Sequence, residues 1–319
     1  MEQIKDSINK ARTLRPTTLK TYTTNLNKLH KKMFDNEPLT SLDFLLKYEK
    51  VVDTLADLKL STQKTYIAGI VVALSASKEN KYEKILVKYR EIMINNIKSY
   101  DEEVKLQKKS ETQNENWVSM KALKKVINNY KSELERQGIF KKETLNKKER
   151  DLLQKWLVGS LYIIDTGNPP LRNDYTPMEV ITLTNYNKLP KSDVENNNYL
   201  VNQSRNKKWF SFGEYKTRKT YGIKKINLGK KLNAVMNIYL KFHKDKNLLL
   251  NNRGEALSSN GLTKYIQKVF SPTGKVISAN LLRHIYISEY LTGPSLQDKQ
   301  ALGEKMGHNV NTQELYKKN

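Results

Sequence analysis

The chain closes on ANLLRHIYISEYL (279–291) and KMGHNVNTQELYKKN (305–319), and these two stretches govern how everything before them is read. Asn280, Arg283, His308 and Tyr316 stand there in order. A tyrosine phenol has a pKa of about 10, so it becomes a nucleophile near neutral pH only where cations stabilise its oxyanion. A guanidinium supplies that charge and can hold a phosphate oxygen through a planar fork. Together with an imidazole, these are groups suited to work on a phosphodiester.

The rest of the chain supplies a matching charge. Its 319 residues are enough for two domains, each with its own core. The formal net charge is +24, from 57 Lys and Arg against 33 Asp and Glu, which makes a polyanion the expected partner. No run of about 18 apolar residues occurs, so a membrane-spanning helix is not expected. The mean hydropathy of −0.71 agrees, and nucleic acid is favoured over a membrane surface. The N-terminal MEQIKDSINKARTLRP has no apolar signal-peptide core, so a soluble, intracellular protein associated with DNA is expected. There are no cysteines, which removes disulfides, thiolate metal sites and a cysteine nucleophile. Histidines 30, 243, 284 and 308 show no short ligand spacing with carboxylates, so no metal site is expected.

In chain order, Leu19, Tyr22, Leu26, Leu29 and Met33 recur at helical spacing, with Pro16 at the start and Thr17 or Thr18 as candidate caps. Tyr66, Ile67, Ile70, Val71 and Leu74 mark a second helix, and the pattern through 80–104 a third. QKKSETQNEN (107–116) lacks apolar periodicity and reads as an exposed linker. The expected organisation is a helical domain over 1–108, a linker at 109–116 and a second domain over 117–319. In that second part, helices are expected at 117–137, ended by Gly138, and at 146–164, before a break at Gly167-Asn168-Pro169-Pro170. Strand character follows at 198–203, 208–215 and 221–228, with KTRKT (216–220) as a tight basic turn between the last two. Helices resume at 230–244, 258–270, 279–291 and 296–306. The expected fold class is mainly α with a small antiparallel sheet, that is, α+β.

Over 117–319 the chain resembles the catalytic domain of tyrosine recombinases, the phage-integrase family. Asn280-Leu281-Leu282-Arg283-His284 occupies the place of that family's H-x-x-R-H box. Met306-Gly307-His308 matches its third box, with Tyr316 eight residues after His308. Leu171-Arg172 matches the first box, and KTRKT lies where the family carries a hairpin lysine. The N-terminal helical segment resembles the family's core-binding (SAM-like) DNA-binding domain.

The resemblance implies a site-specific DNA recombinase or integrase, of a virus or mobile element, acting through a 3′-phosphotyrosine. Tyr316 would be the nucleophile, and Arg172 and Arg283 would hold the non-bridging oxygens. His308 would hydrogen-bond one of them. Lys216, with Lys219 as the alternative, would protonate the leaving 5′-oxygen. Asn280 stands where many members have histidine; its amide can donate to phosphate but cannot relay a proton. Members commonly carry a Glu three residues after the first Arg; here Tyr175 is there and the nearest acid is Asp174. His284 reads equally as a structural or a catalytic histidine. In the N-terminal part, Lys20 and Lys64 near helix starts are candidate phosphate contacts.

No metal, ATP or other cofactor is implied. The implied partner is double-stranded DNA, with the protein a monomer in solution and a homotetramer on DNA. With three residues beyond Tyr316, assembly is expected to use surfaces other than a C-terminal helix. Two other functions use the same residues: a type IB topoisomerase, which relaxes supercoils, and a catalytically impaired, recombinase-derived DNA-binding protein.

Overall fold

A computed structural model describes residues 2–163, 169–290 and 296–318. The chain divides into two units, Met1–Leu106 and Gln107–Asn319. The first is built of five α-helices: α1 (Glu2–Ala11), α2 (Pro16–Met33), α3 (Tyr48–Ala56), α4 (Leu60–Ser77) and α5 (Glu83–Lys105). The apolar stripe of α2 buries Leu26, Leu29 and Met33 against a core that includes Ile67, Ile70 and Leu74 of α4. A fully buried aliphatic side chain of this kind contributes about 1.5–3 kcal/mol. Pro16 opens α2 as expected, but Arg15 holds the cap position, so Thr17 and Thr18 lie inside the first turn. Helix α1, which the sequence pattern did not single out, is tied down by only two buried residues, Ile4 and Ile8.

The second unit begins where a linker was expected, yet it carries α6 (Glu111–Asn116). Ser110 accepts from the Gln113 N–H while the Gln113 side chain accepts from the Ser110 N–H, a reciprocal cap that needs no apolar periodicity. Next come α7 (Met120–Arg136), followed by Gly138 at a φ of 65°, and α8 (Lys147–Ile163). From Trp156 to Ile163 every residue of α8 is buried, and α7, α12 (Lys230–Phe242) and α13 (Ser259–Phe270) pack around it. Of the expected break after this helix, Gly167 and Asn168 lie outside the described residues.

The sheet has strand order β1-β2-β3-β4, with β1 (Glu179–Thr182), β2 (Asn198–Ser204), β3 (Lys207–Phe212) and β4 (Lys224–Asn227). The last three are antiparallel, with Leu200 opposite Phe210 and Phe210 opposite Ile226. β1 pairs parallel to β2, Glu179 opposite Tyr199, so the sheet is mixed rather than wholly antiparallel. The cause is the connection: α9 (Leu183–Tyr186) and α10 (Lys191–Asn196) form a crossover that returns the chain in the same direction. Leu200, Phe210, Phe212 and Ile226 join the main core, while Tyr199, Val201 and Trp209 form a smaller cluster with Tyr186. KTRKT is not a tight turn: residues 213–223 bridge β3 and β4 and include α11 (Arg218–Tyr221). The chain ends in α14 (Ala279–Tyr290), α15 (Leu296–Met306) and α16 (Val310–Tyr316). Among the described residues, no helix is long and apolar enough to cross a membrane.

Candidate active site

Ser278 starts α14 by accepting from the Leu281 N–H, and the helix then runs through the core with Leu281, Leu282, Ile285 and Ile287 buried. Arg283 sits among them at 0% exposure. One terminal nitrogen donates to the Pro170 carbonyl and the other to His308 Nδ1, each at 3.0 Å. Its Nε has no partner among the described residues. Burial lowers the guanidinium's pKa, with the neighbouring Arg172 acting in the same direction and Tyr316 opposing. An arginine keeps its charge even so.

His308 is brought to Arg283 by the turn between α15 and α16. Gly307 has a φ of 70°, which strains any side chain, and a Cβ there would stand 3.0 Å from Thr217 Oγ1, so glycine is favoured at this turn. Thr217 Oγ1 donates to the Gly307 carbonyl at 3.0 Å, docking the β3–β4 connection on this turn. An arginine can only donate, so His308 Nδ1 is the accepting nitrogen and Nε2 carries the proton. Burial, then Arg283, Arg172 and Lys224, pull the His308 pKa down to about 3, so the ring is neutral. His308 Nε2 is a second buried donor without a partner among the described residues. A buried unsatisfied donor costs about 1–3 kcal/mol, and a phosphate oxygen is a group that would take both.

Tyr316, the last residue of α16, stacks on His308 with ring centroids 5.3 Å apart and 13° between planes. The Arg283 guanidinium carbon lies 5.0 Å from the phenol ring centroid. Burial alone would raise the phenol's pKa, but the charges and hydrogen bonds of Arg283 and Arg172 outweigh it, and the net shift is downward. His284 also packs on the phenol, centroids 4.7 Å apart, with its pKa pushed to about 4 chiefly by burial.

Arg172 lies in the irregular segment after α8, where its carbonyl accepts from Tyr162 Oη at 3.2 Å. Asp174 is partly exposed; burial raises its carboxyl, while Arg172, Arg283 and Lys224 pull the other way. Asn198 of β2 donates to the carbonyls of Asp174 and Glu214, at 3.0 and 2.9 Å, which ties this segment to the β3–β4 connection.

Arg172, Arg283, His308 and Tyr316 thus converge. Lys216 and Lys219 do not join them: both are exposed. The lysine that reaches the group is Lys224, the first residue of β4. Its Nζ donates to the Lys305 carbonyl, and its pKa falls to about 8 through burial first, with Arg283 and Arg172 adding to the fall and Asp174 and Glu304 opposing it. The signal that could have found it is strand alternation: Ile226 faces the core, and Lys224, two residues earlier, shares its face. Asn280 is exposed and lines a 400 Å³ cavity with Gln113, Asn116 and His284, rather than flanking Arg283. In the first unit, Lys20 is exposed on α2, and Lys64 lies 4.3 Å over the Tyr100 ring. Among the described residues no group of three or more His, Asp or Glu could hold a metal ion.

No protein-family model matches the chain, and no curated protein matches it. Among solved structures it is similar to the crystal structure of XerA recombinase, at 12% identity and a TM-score of 0.39, over 99% of this chain and 92% of that one. A likeness of that size concerns the course of the chain alone; the chemistry is a matter of the side chains around Tyr316.

Proposed function

We propose that this chain is a DNA strand transferase of the tyrosine-recombinase kind, cutting duplex DNA through Tyr316 and rejoining it to a new partner. The observation that carries the proposal is the phenol itself. It is stacked on a neutral His308 and drawn to lower pKa by two arginines, in a chain of net charge +24. Tyr316 Oη attacks phosphorus, the bond to the 5′-oxygen breaks, and a 3′-phosphotyrosine forms. The phenolic proton passes to solvent, since both nitrogens of His308 are committed: Nδ1 accepts from Arg283 and Nε2 is a donor. Arg283 Nε and His308 Nε2 stabilise charge on the non-bridging oxygens as the transition state forms, with Arg172 beside them.

Lys224, with a pKa of about 8, is largely protonated at neutral pH and gives its proton to the leaving 5′-oxygen. A 5′-hydroxyl attacking the phosphotyrosine reverses these steps, so bond energy is conserved. Exchange between two duplexes then calls for a tetramer of the chain on DNA. Changing Tyr316→Phe should abolish covalent protein–DNA adducts on a nicked suicide duplex while duplex affinity is kept; adducts at undiminished yield would refute the proposal.

A further inference from the structure

Helix α16 has only seven residues, too few to hold its own shape in water. The Glu314 carbonyl takes the Lys317 N–H at 3.2 Å, and side chains of the same unit supply further donors to the helix's last carbonyls. Gln107 Nε2 donates to the Glu314 carbonyl at 2.8 Å. His284 Nδ1 lies 2.8 Å from the Tyr316 carbonyl, which can only accept, so this nitrogen is the protonated one. Beyond Tyr316 the backbone turns extended at Lys317, and the Lys318 N–H donates to Ser288 Oγ at 2.7 Å. His284 and Ser288 are four residues apart on α14 and therefore on one face of it. That face grips the backbone one step on either side of Lys317. The same helix buries Arg283, so the nucleophile and the cation that activates it are referenced to one rigid element.

We infer that His284 and Ser288 are positioning residues, forming a two-point backbone clamp on α14 that fixes the depth at which the Tyr316 phenol stands. This rests on Tyr316 being the nucleophile. The clamp holds main-chain atoms and so acts whatever side chains occupy positions 317 and 318. His284 adds a second restraint, because its ring also packs on the phenol at 4.7 Å. Neither residue needs to touch DNA; both act through Tyr316.

The test separates the two restraints. His284→Phe keeps a ring and loses the donor, His284→Asn keeps a donor and loses the ring, and Ser288→Ala loses only the acceptor. At saturating nicked duplex, His284→Phe and Ser288→Ala should slow single-turnover adduct formation by about 10–100-fold, the scale of a small misplacement of a reacting group. Duplex affinity should stay at the wild-type value, and His284→Asn and Ser288→Thr should recover most of the rate. Amide hydrogen exchange over 310–318 should quicken in the two defective variants. Ser288→Ala removes a single hydroxyl, so a folding defect in His284→Phe does not decide the matter. Wild-type rates and unchanged exchange in Ser288→Ala would overturn the clamp. A wild-type protein that forms no adduct would defeat the nucleophile assignment instead, and the exchange measurement would still decide whether the clamp exists.

Discussion

Helix α14 and the β3–β4 region each bring a cation to the group around Tyr316, and they do so by different means. Helix α14 carries Arg283 in the middle of a buried run, where its direction follows from helical register and it has nowhere else to point. The connection from β3 to β4 offers Lys216, Arg218 and Lys219 in irregular or single-turn backbone; the two lysines are exposed and Arg218 pairs with Glu195. The cation that turns inward is Lys224, where strand alternation resumes. A regular element transmits spacing into direction, whereas a loop transmits only composition.

The strongest way to break that contrast is to move the charge between the two kinds of position. Lys224→Ala should lower the adduct rate by about 100–1,000-fold, within the range of a lost general acid, while Lys216→Ala and Lys219→Ala should stay within a few fold. Replacing the leaving 5′-oxygen with sulfur, a far weaker base, should restore most of the Lys224→Ala rate. The wild-type rate should also decline as pH rises through about 8, where Lys224 gives up its proton, and that limb should vanish with the sulfur substrate. A defect in Lys216→Ala as large as that in Lys224→Ala, cured by sulfur, would reverse the assignment.

A smaller effect tests the α14 side of the comparison in acid. His308 and His284 are held to about 3 and about 4, neutral in the fold, while an unfolded chain protonates its histidines below about 6.5. The unfolded state therefore binds more protons between about 6.5 and 4, and stability falls as pH drops through that window. Denaturant unfolding of the His308→Asn, His284→Asn double variant should show a shallower loss over the same range than the wild type. Equal slopes in the two proteins would mean that these imidazoles are not buried as described.

The same contrast sets how much could be read in advance. Helices α2, α4, α5, α7 and α8 came from apolar periodicity, and α2 ends where its stripe does, whereas short helices such as α1, α3 and α16 were not singled out. Helix α6 escaped because it is fixed by the Ser110–Gln113 cap and buries none of its residues. Strand β1 escaped because Glu179–Thr182 is only four residues long with no buried position. The parallel pairing it makes depends on the crossover through 183–197, which local pattern does not reveal. Of the site, Arg172, Arg283, His308 and Tyr316 were named through the resemblance of their boxes, and the fold brings these four side chains together. Asn280 faces a cavity it shares with Gln113 and Asn116 of α6, and that neighbourhood was hidden because the segment building it read as a linker. Lys216 and Lys219 stay exposed, and Lys224, five residues beyond Lys219, reaches the group because it lies on a strand, which the composition of KTRKT does not reveal.

In the proposed function, the groups around Tyr316 serve to make it attack phosphorus. Mapping the covalent species is the direct measurement: the protein is trapped on a nicked suicide duplex, digested with protease and nuclease, and the modified peptide sequenced by mass spectrometry. The expected species is a nucleotide joined through its 3′-phosphate to Tyr316 alone. A modified peptide bearing the nucleotide on any of the other 17 tyrosines, or on a residue that is not tyrosine, would contradict it.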